Sequence, residues 1–493
     1  MYVQTGTYYV TEDQQHNCER VATSSTMAAS IDIQASDALF AGARDAEKRA
    51  QTLSYIATSL GNFSVQYNFQ SISVAMLIMA SSVCTTDDAD CRDDIQDFWI
   101  AGTATAVIFA GAITGQLTMG YIGDVLGRNA AYVLTLSLCA FGAVASAAFS
   151  YGSSEEIYGI IIACRFILGA GAGGVFPLSS AKAAEDQGSE PVNTNAKATG
   201  GINVVAASKA MFYQSPGALA PWFLGFCMTY ADIPVNDKWR LVLGCGAVPA
   251  VLVVLCTLWE IRVRDTVPAA KAVVTTEPSV EERQRLARKG RLLRDPKYQW
   301  RMIITGGGWF IYDVAFYGVS LFGGVIVNSI KTTDDDNVSS DAAVRYATSH
   351  QLIANLMGVP AAITTIYAIK YFGTKRVQCG GFLFQAFMFF LMASTFYSLK
   401  RTNDEALFAI YCFLIFSLTS GSSMTTFCLP AQYYPYEIRT TYAGMSAAMG
   451  KLGAAVGAFM VRSALHCAAL HPSSFTPMVD PLITFLRSLL TVM

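Results

Sequence analysis

Apolar stretches long enough to cross a membrane recur along most of this chain, and they limit what it can fold into. A helix needs about 20 mostly apolar residues to cross a hydrocarbon layer of about 30 Å. Backbone groups in lipid must also be hydrogen-bonded internally, so the stretches predict an all-α membrane protein. Eleven stretches qualify, and we number them spans 1 to 11 in chain order: 53–82, 98–122, 129–151, 156–180, 199–230, 239–260, 302–329, 347–369, 376–397, 405–429 and 441–464.

The length and composition agree with such a fold. The chain has 493 residues, and at roughly 40 residues for each span and its connection this allows about twelve spans. Only 14% of the residues are charged, whereas soluble domains contain about 25%. The net charge of −2 shows no basic bias, so nucleic acid is not expected as a partner.

The twelfth span is the weak point of this count. Residues 471–493 contain three prolines, and their apolar part begins only at Leu482 and is interrupted by Arg487. A charged residue is costly inside a membrane. We therefore expect a weak or incomplete twelfth helix in this segment.

The polar segments divide the chain into two halves. Residues 1–52 form a polar tail, 53–261 an N-terminal six-helix bundle, 262–301 a basic linker, and 302–493 a C-terminal helix bundle. Loops rich in Lys and Arg usually remain in the cytoplasm. The linker and the N-terminal tail are therefore predicted to be cytoplasmic, whether the membrane is the plasma membrane or an internal one.

A glycine-rich loop between spans 2 and 3 reads GQLTMGYIGDVLGR. Gly120 and Gly127 permit a tight turn and close helix contact, while Asp124 and Arg128 can pair in one conformation and separate in another. These four residues are therefore predicted to act in gating. The string resembles the loop signature of the major facilitator superfamily.

Span 4 contains the string RFILGAGAGGVFPLS, which begins at Arg165. Its GxGxxG segment would suggest a dinucleotide-binding turn if it followed a strand. The glycines instead lie inside an apolar span, where small residues allow close helix packing. We predict such packing and assign Arg165 to the conformational machinery.

The string from Pro430 to Ala454, PAQYYPYEIRTTYAGMSAAMGKLGA, is the most specific of the chain. Together with the span 4 string and Trp239-Arg240, it resembles the phosphate:proton symporter family within the superfamily. The resemblance implies a 6+6 helix bundle that moves inorganic phosphate or a related small anion by alternating access, coupled to protons. Sugar porters share the loop and span 4 signatures, but they lack the span 7 pattern described next.

Span 7 carries Trp309, Asp313 and Tyr317 at intervals of four residues. Residues at this spacing share one face of a helix. An aspartate within a span costs about 2.5 to 3.5 kcal/mol on insertion scales, so Asp313 is expected to face the bundle interior. It either contacts substrate or is a buried acid paired with a neighbouring helix, and it is the predicted proton-coupling group.

The resemblance implies further substrate-binding residues. Lys451 in span 11 corresponds to a family lysine and can offer three hydrogen-bond donors to an anion. Gln214 in span 5 corresponds to a substrate-contacting glutamine, although an interhelical hydrogen bond explains it equally well. Phe176 and Ser423 occupy substrate-site positions where the family carries other residues, an Asp-Tyr pair at 175–176 and an asparagine.

The missing acids leave the substrate and the coupling open. Span 1 also lacks the family's acid and instead presents a polar stripe of Asn62, Gln66, Tyr67, Asn68 and Gln70. Such a stripe suits a neutral or zwitterionic solute, or another ion. The alternatives to phosphate transport are therefore a diverged carrier of a sugar, organophosphate or amino acid, and a membrane nutrient sensor that transports nothing.

Other functional classes find little support in the sequence. It shows no nucleophile–base pair and no cluster of metal ligands, so we expect no enzymatic activity, cofactor or metal. The expected partners are the lipid bilayer, a small anion and protons. A fold of this kind can function as a monomer.

Overall fold

The computed structural model describes residues 12–83, 98–186, 204–266, 280–330 and 340–470. Within these ranges the chain is helical and contains no strand, which confirms the predicted all-α fold for the described part. The helices are Glu12–Val83, Phe98–Val125, Arg128–Ala148, Ser154–Asp186, Val204–Phe212, Gln214–Met228, Val235–Gly244, Ala247–Asp265, Val280–Leu293, Pro296–Ser320, Gly323–Ile330, Ser340–Leu356, Gly358–Phe372, Thr374–Thr402, Asp404–Thr419, Ser422–Tyr433 and Arg439–Leu470, with a 3-10 turn at Tyr436–Ile438.

Several spans consist of two helices in succession, a break that the apolar pattern did not predict. Spans 5 and 8 are interrupted at Tyr213 and Met357. Pro216 and Pro360 follow within the first turn of the next helix, where a missing N–H leaves no bond unmade. Span 10 breaks before Gly421, whose φ of 61° is one that glycine tolerates best.

Eight helices among the described residues are long and apolar enough to cross a membrane. Large apolar side chains lie exposed on their outer faces, for example Leu255, Leu383 and Phe390. In water such faces would be unfavourable, whereas lipid solvates them. Spans 1, 5 and 11 are not among the eight, span 1 because its polar stripe lowers its hydropathy. The twelfth helix predicted for 471–493 lies outside the described residues.

The chain divides into two compact units, one of residues 1–52 and 260–274 and the other of residues 53–259 and 275–493. In the smaller unit, Arg264 forms ion pairs with Glu260 at 3.0 Å and with Glu47 at 3.7 Å. The larger unit contains the spans and all the features discussed below.

Glycines set the closest helix contacts in the larger unit. A Cβ added at Gly169 or Gly173 of span 4 would meet the backbone of span 2, as the sequence predicted for these glycines. In span 11, a Cβ at Gly453 or Gly457 would meet a carbonyl oxygen of span 7. The second contact matters for function because it brings Lys451 next to the polar face of span 7.

Candidate functional site

A cavity of about 50 Å³ lies in the larger unit among spans 1, 4, 5, 7, 8, 10 and 11. This volume has room for a few water molecules, which suits a small solute. All seven residues predicted to bind substrate line the cavity: Trp309, Asp313, Tyr317, Gln214, Lys451, Phe176 and Ser423. Five separate spans supply these seven side chains, so the fold brings distant parts of the sequence to one place.

Span 7 supplies one wall of the cavity through a single helix face. The lining residues Trp309, Tyr312, Asp313, Phe316, Tyr317 and Ser320 follow the three- and four-residue intervals of an α-helix. Trp309, Asp313 and Tyr317 are buried, as expected for the interior side of a membrane bundle. Tyr312 of this face and Ser423 of span 10 both border the cavity.

Lys451 and Asp313 form an ion pair at the centre of the site. The Lys451 Nζ lies 2.8 Å from Asp313 Oδ2 and 3.0 Å from the hydroxyl of Tyr317. Both charged side chains are about 1% exposed. The pair compensates two charges that would each be costly to bury alone, and it leaves one Lys451 N–H bond for another acceptor.

Aromatic rings surround the ammonium group of Lys451. Its Nζ lies 4.1 Å from the ring centroid of Tyr317, 5.1 Å from that of Phe176 and 5.3 Å from that of Phe69. Ring faces attract a cation, most strongly where water is excluded. Phe176 therefore contributes to the environment of the Lys451 cation at a position where the family that the chain resembles carries polar groups. Phe69 is a site residue that the sequence did not indicate.

Gln214 lines the cavity and also joins two helices. Its Nε2 donates to Asn62 Oδ1 at 3.2 Å, which links span 5 to span 1. The two alternatives considered for Gln214 are thus compatible, since an interhelical bond holds one end of the amide while the residue still borders the cavity. Gln66, from the polar stripe of span 1, lines the cavity beside it.

The predicted gating residues meet the start of span 11 in what we call the gate contact. Asp124 accepts hydrogen bonds from the Thr440 hydroxyl, from the Thr441 amide at 2.9 Å and from the Thr441 hydroxyl at 2.6 Å. Arg128 lies 3.8 Å from Asp124, so the expected pairing is present in this conformation. The contact joins the N-terminal and C-terminal halves of the bundle.

Two glycines of the predicted loop differ in their roles. A Cβ at Gly120 would press on the Thr440 carbonyl, so this glycine permits the gate contact. Gly127 has a φ of 94° and ends the turn before the next helix, with no close neighbour. Arg165 lies apart from the gate contact. It donates hydrogen bonds to span 1, to the Asn68 carbonyl at 2.8 Å and to Ser71 Oγ at 3.1 Å.

One residue of the gate contact comes from the basic linker and was not predicted. Lys289, on the helix Val280–Leu293, is 5% exposed and lies 3.6 Å from Asp124. Its ammonium also lies 4.3 Å from the ring centroid of Tyr121. The linker sequence showed many cations, but no local pattern distinguishes the buried one.

Comparison with known proteins agrees with this architecture. The model of the Major Facilitator Superfamily matches residues 58–458. Inorganic phosphate transporter PT2 of Toxoplasma gondii is 33% identical over 434 residues, which cover 87% of this chain and 70% of the relative. A repressible high-affinity phosphate permease of Neurospora crassa is 30% identical over 389 residues, covering 71% and 67%.

Solved structures show the same fold. The xylose transporter XylE from E. coli, in a partially occluded inward-open conformation, matches with a TM-score of 0.64 over 90% of this chain and 97% of that one. Sequence identity in this match is 14%, so the likeness concerns the fold alone.

Proposed function

The chain belongs to the Major Facilitator Superfamily, and from this premise we propose that it moves inorganic phosphate across a membrane by alternating access. It is a multi-pass integral membrane protein of the 6+6 helix class. The similarity to phosphate transporters from two organisms supports phosphate as the substrate. The cluster of Lys451, Asp313 and Tyr317 in a small central cavity is the observation that carries the proposal.

Lys451 is the proposed anion-binding group. In the structure its ammonium donates to Asp313 and Tyr317, two groups that a phosphate oxygen could replace or join. A phosphate that still carries a proton can in turn donate to the Asp313 carboxylate. The site would thus match both the acceptors and the donors of a partly protonated oxyanion, and hydrogen bonds to charged groups are the strong ones.

Asp313 is the proposed proton-coupling residue. Among the described residues that line the cavity, it is the only acid. When phosphate binds the Lys451 ammonium, the buried Asp313 carboxylate loses its counter-charge. Protonation of Asp313 then neutralises the remaining charge. Substrate and proton would thereby enter the site together, without the additional acids that the resembling family carries.

The gate contact would open and close as the two halves of the bundle alternate in giving access to the cavity. Asp124 holds the start of span 11 in the present conformation, and its release would let the two halves of the bundle rock about the cavity. We further propose that the tail and the linker face the cytoplasm, which places the gate contact on that side. One copy of the chain is sufficient for this mechanism, and it requires no enzymatic step.

A carrier of an organic solute is the second candidate. Gln66 stands in the cavity wall, and the amides of Gln214 and Asn62 bond to each other beside it. Neutral amides suit sugars or amino acids as well as anions. Excess unlabelled phosphate would leave uptake of such a solute unchanged, whereas it would suppress phosphate uptake.

Uptake of labelled phosphate into liposomes that contain the purified protein tests the proposal. We expect uptake that rises with an inward proton gradient and that is abolished by Lys451→Ala and by Asp313→Asn. Lys370→Ala is the matched control, since Lys370 lies at the end of span 8 and does not line the cavity. Normal phosphate uptake by both site variants would contradict the proposal.

A further inference from the structure

Two buried polar side chains border the cavity without a hydrogen-bond partner among the described residues. They are Ser320, whose Oγ is unpaired, and Asn355, whose Nδ2 is unpaired; they are 3% and 8% exposed. Hydroxyls in such helices usually bond to their own backbone, as Ser417 and Thr419 do with Leu414 and Ile415. A buried donor left without a hydrogen bond is unfavourable, so we expect a ligand to hydrogen-bond to these two atoms.

Ser320 and Asn355 both line the cavity and lie at a similar depth in the neighbouring spans 7 and 8. A Cβ at Gly323, just after span 7's first helix, would meet the side chain of Gln351 in span 8. The chain runs away from the gate contact in span 7 and back toward it in span 8. Ser320 therefore lies about one turn closer to the gate contact than Gly323, and Asn355 lies about one turn closer to it than Gln351.

Ser320 lies too far from Asp313 to share one small anion with it. Asp313 and Ser320 are seven residues apart in one helix, and at a rise of 1.5 Å per residue this separates them by about 10 Å along the axis. A single tetrahedral oxyanion therefore does not contact Asp313 and Ser320 together. The unpaired groups thus belong to a second position in the same cavity.

We propose that Ser320 and Asn355 form an outer subsite that holds phosphate through neutral hydrogen bonds before it reaches Lys451. The inference rests on the proposed function. While the gate contact is closed, a solute reaches Lys451 from the opposite end, which is the end where Ser320 and Asn355 lie. A neutral subsite binds the anion weakly, so it can pass the anion on to the charged centre without trapping it.

The test measures KM and kcat for phosphate uptake in liposomes with Ser320→Ala, Asn355→Ala and Asn355→Asp. Loss of one hydrogen bond corresponds to about a fivefold to tenfold change in affinity. We expect KM to rise by that factor in each alanine variant while kcat stays within about twofold. Asn355→Asp keeps the size but adds a negative charge, so its KM should rise further. Ser394→Ala is the control, because Ser394 is exposed and bonds only to its own helix at Leu391.

The outcomes separate this inference from the proposed function. Unchanged KM in both alanine variants, with phosphate uptake by the unaltered protein intact, would overturn the subsite alone. Absence of phosphate uptake by the unaltered protein would overturn the proposed function and the subsite with it. A third arm uses glycerol phosphate as competitor. If it competes strongly with the unaltered protein and weakly with Asn355→Ala, the pair holds an organic substituent, and the subsite for phosphate is wrong.

Discussion

Replacing Asp124 with asparagine should open the gate contact. The carboxylate accepts three hydrogen bonds from Thr440 and Thr441 and lies near the cations Arg128 and Lys289. Hydrogen bonds to a charged group contribute about 1.5 to 3 kcal/mol each. An asparagine has one acceptor oxygen; at the position of Oδ2 it keeps the two bonds from Thr441 as weaker, neutral ones and loses the bond from Thr440, so the closed state loses about 3 kcal/mol.

A loss of about 3 kcal/mol corresponds to a shift of roughly 150-fold between the closed and open states. The Thr441 amide reports this shift directly, because it donates to Asp124 at 2.9 Å. Hydrogen exchange measured by mass spectrometry should therefore show about 100-fold weaker protection at the start of span 11.

Glu405→Gln is the matched control, since Glu405 is exposed and the same change of acid to amide touches no described contact. The reasoning would be refuted if Asp124→Asn left the protection of this segment at the level of the control. It would also fail if protection were lost equally in all spans, because that result would indicate general unfolding instead of a local opening.

Three further predictions concern the central ion pair, the gate contact and the packing of span 11. Lys451→Met or Asp313→Asn alone should destabilise the protein by about 3 to 5 kcal/mol, and the double variant should recover most of that in a denaturant unfolding series. Lys289→Ala should weaken protection at the start of span 11 in hydrogen exchange, but by about tenfold, because it removes the ion pair with Asp124 and leaves the three hydrogen bonds from span 11 to Asp124 in place. Gly453→Val should lower the melting temperature and abolish uptake, because a Cβ at Gly453 collides with the Phe310 carbonyl. Leu452→Ala should leave both unchanged, because Leu452 is exposed.

The spans and the central site were largely predictable because their signals are local. Apolar length located the helices, and the four-residue spacing in span 7 put Trp309, Asp313 and Tyr317 on one face. The family resemblance supplied Lys451 and Gln214, which the structure brings to the same cavity. What these residues do there remains a proposal.

Contacts between remote segments could not be predicted in the same way. Lys289 is 165 residues from Asp124, and nothing in the basic linker distinguishes it from its exposed neighbours. Phe69 reads as an ordinary core aromatic, yet it lies beside the Lys451 ammonium. Asn355 did carry a signal, since an amide in the middle of an apolar span is unusual, but the place of Ser320 in the same cavity became visible only in three dimensions.

Span 11 joins the two functional regions, and its geometry suggests how they communicate. Thr441 in the gate contact and Lys451 in the site lie ten residues apart in one helix, which is about 15 Å. The helix packs against backbone on both sides, at Gly444 against Gln116 and at Gly453 against Phe310, so it moves as a rigid element with little room to bend. If an anion displaces the span 11 backbone at Lys451, Thr441 therefore moves with it relative to Asp124. Under this mechanism the gate variant Asp124→Asn should alter phosphate affinity although it touches no cavity residue, whereas the control Glu405→Gln should leave the affinity unchanged.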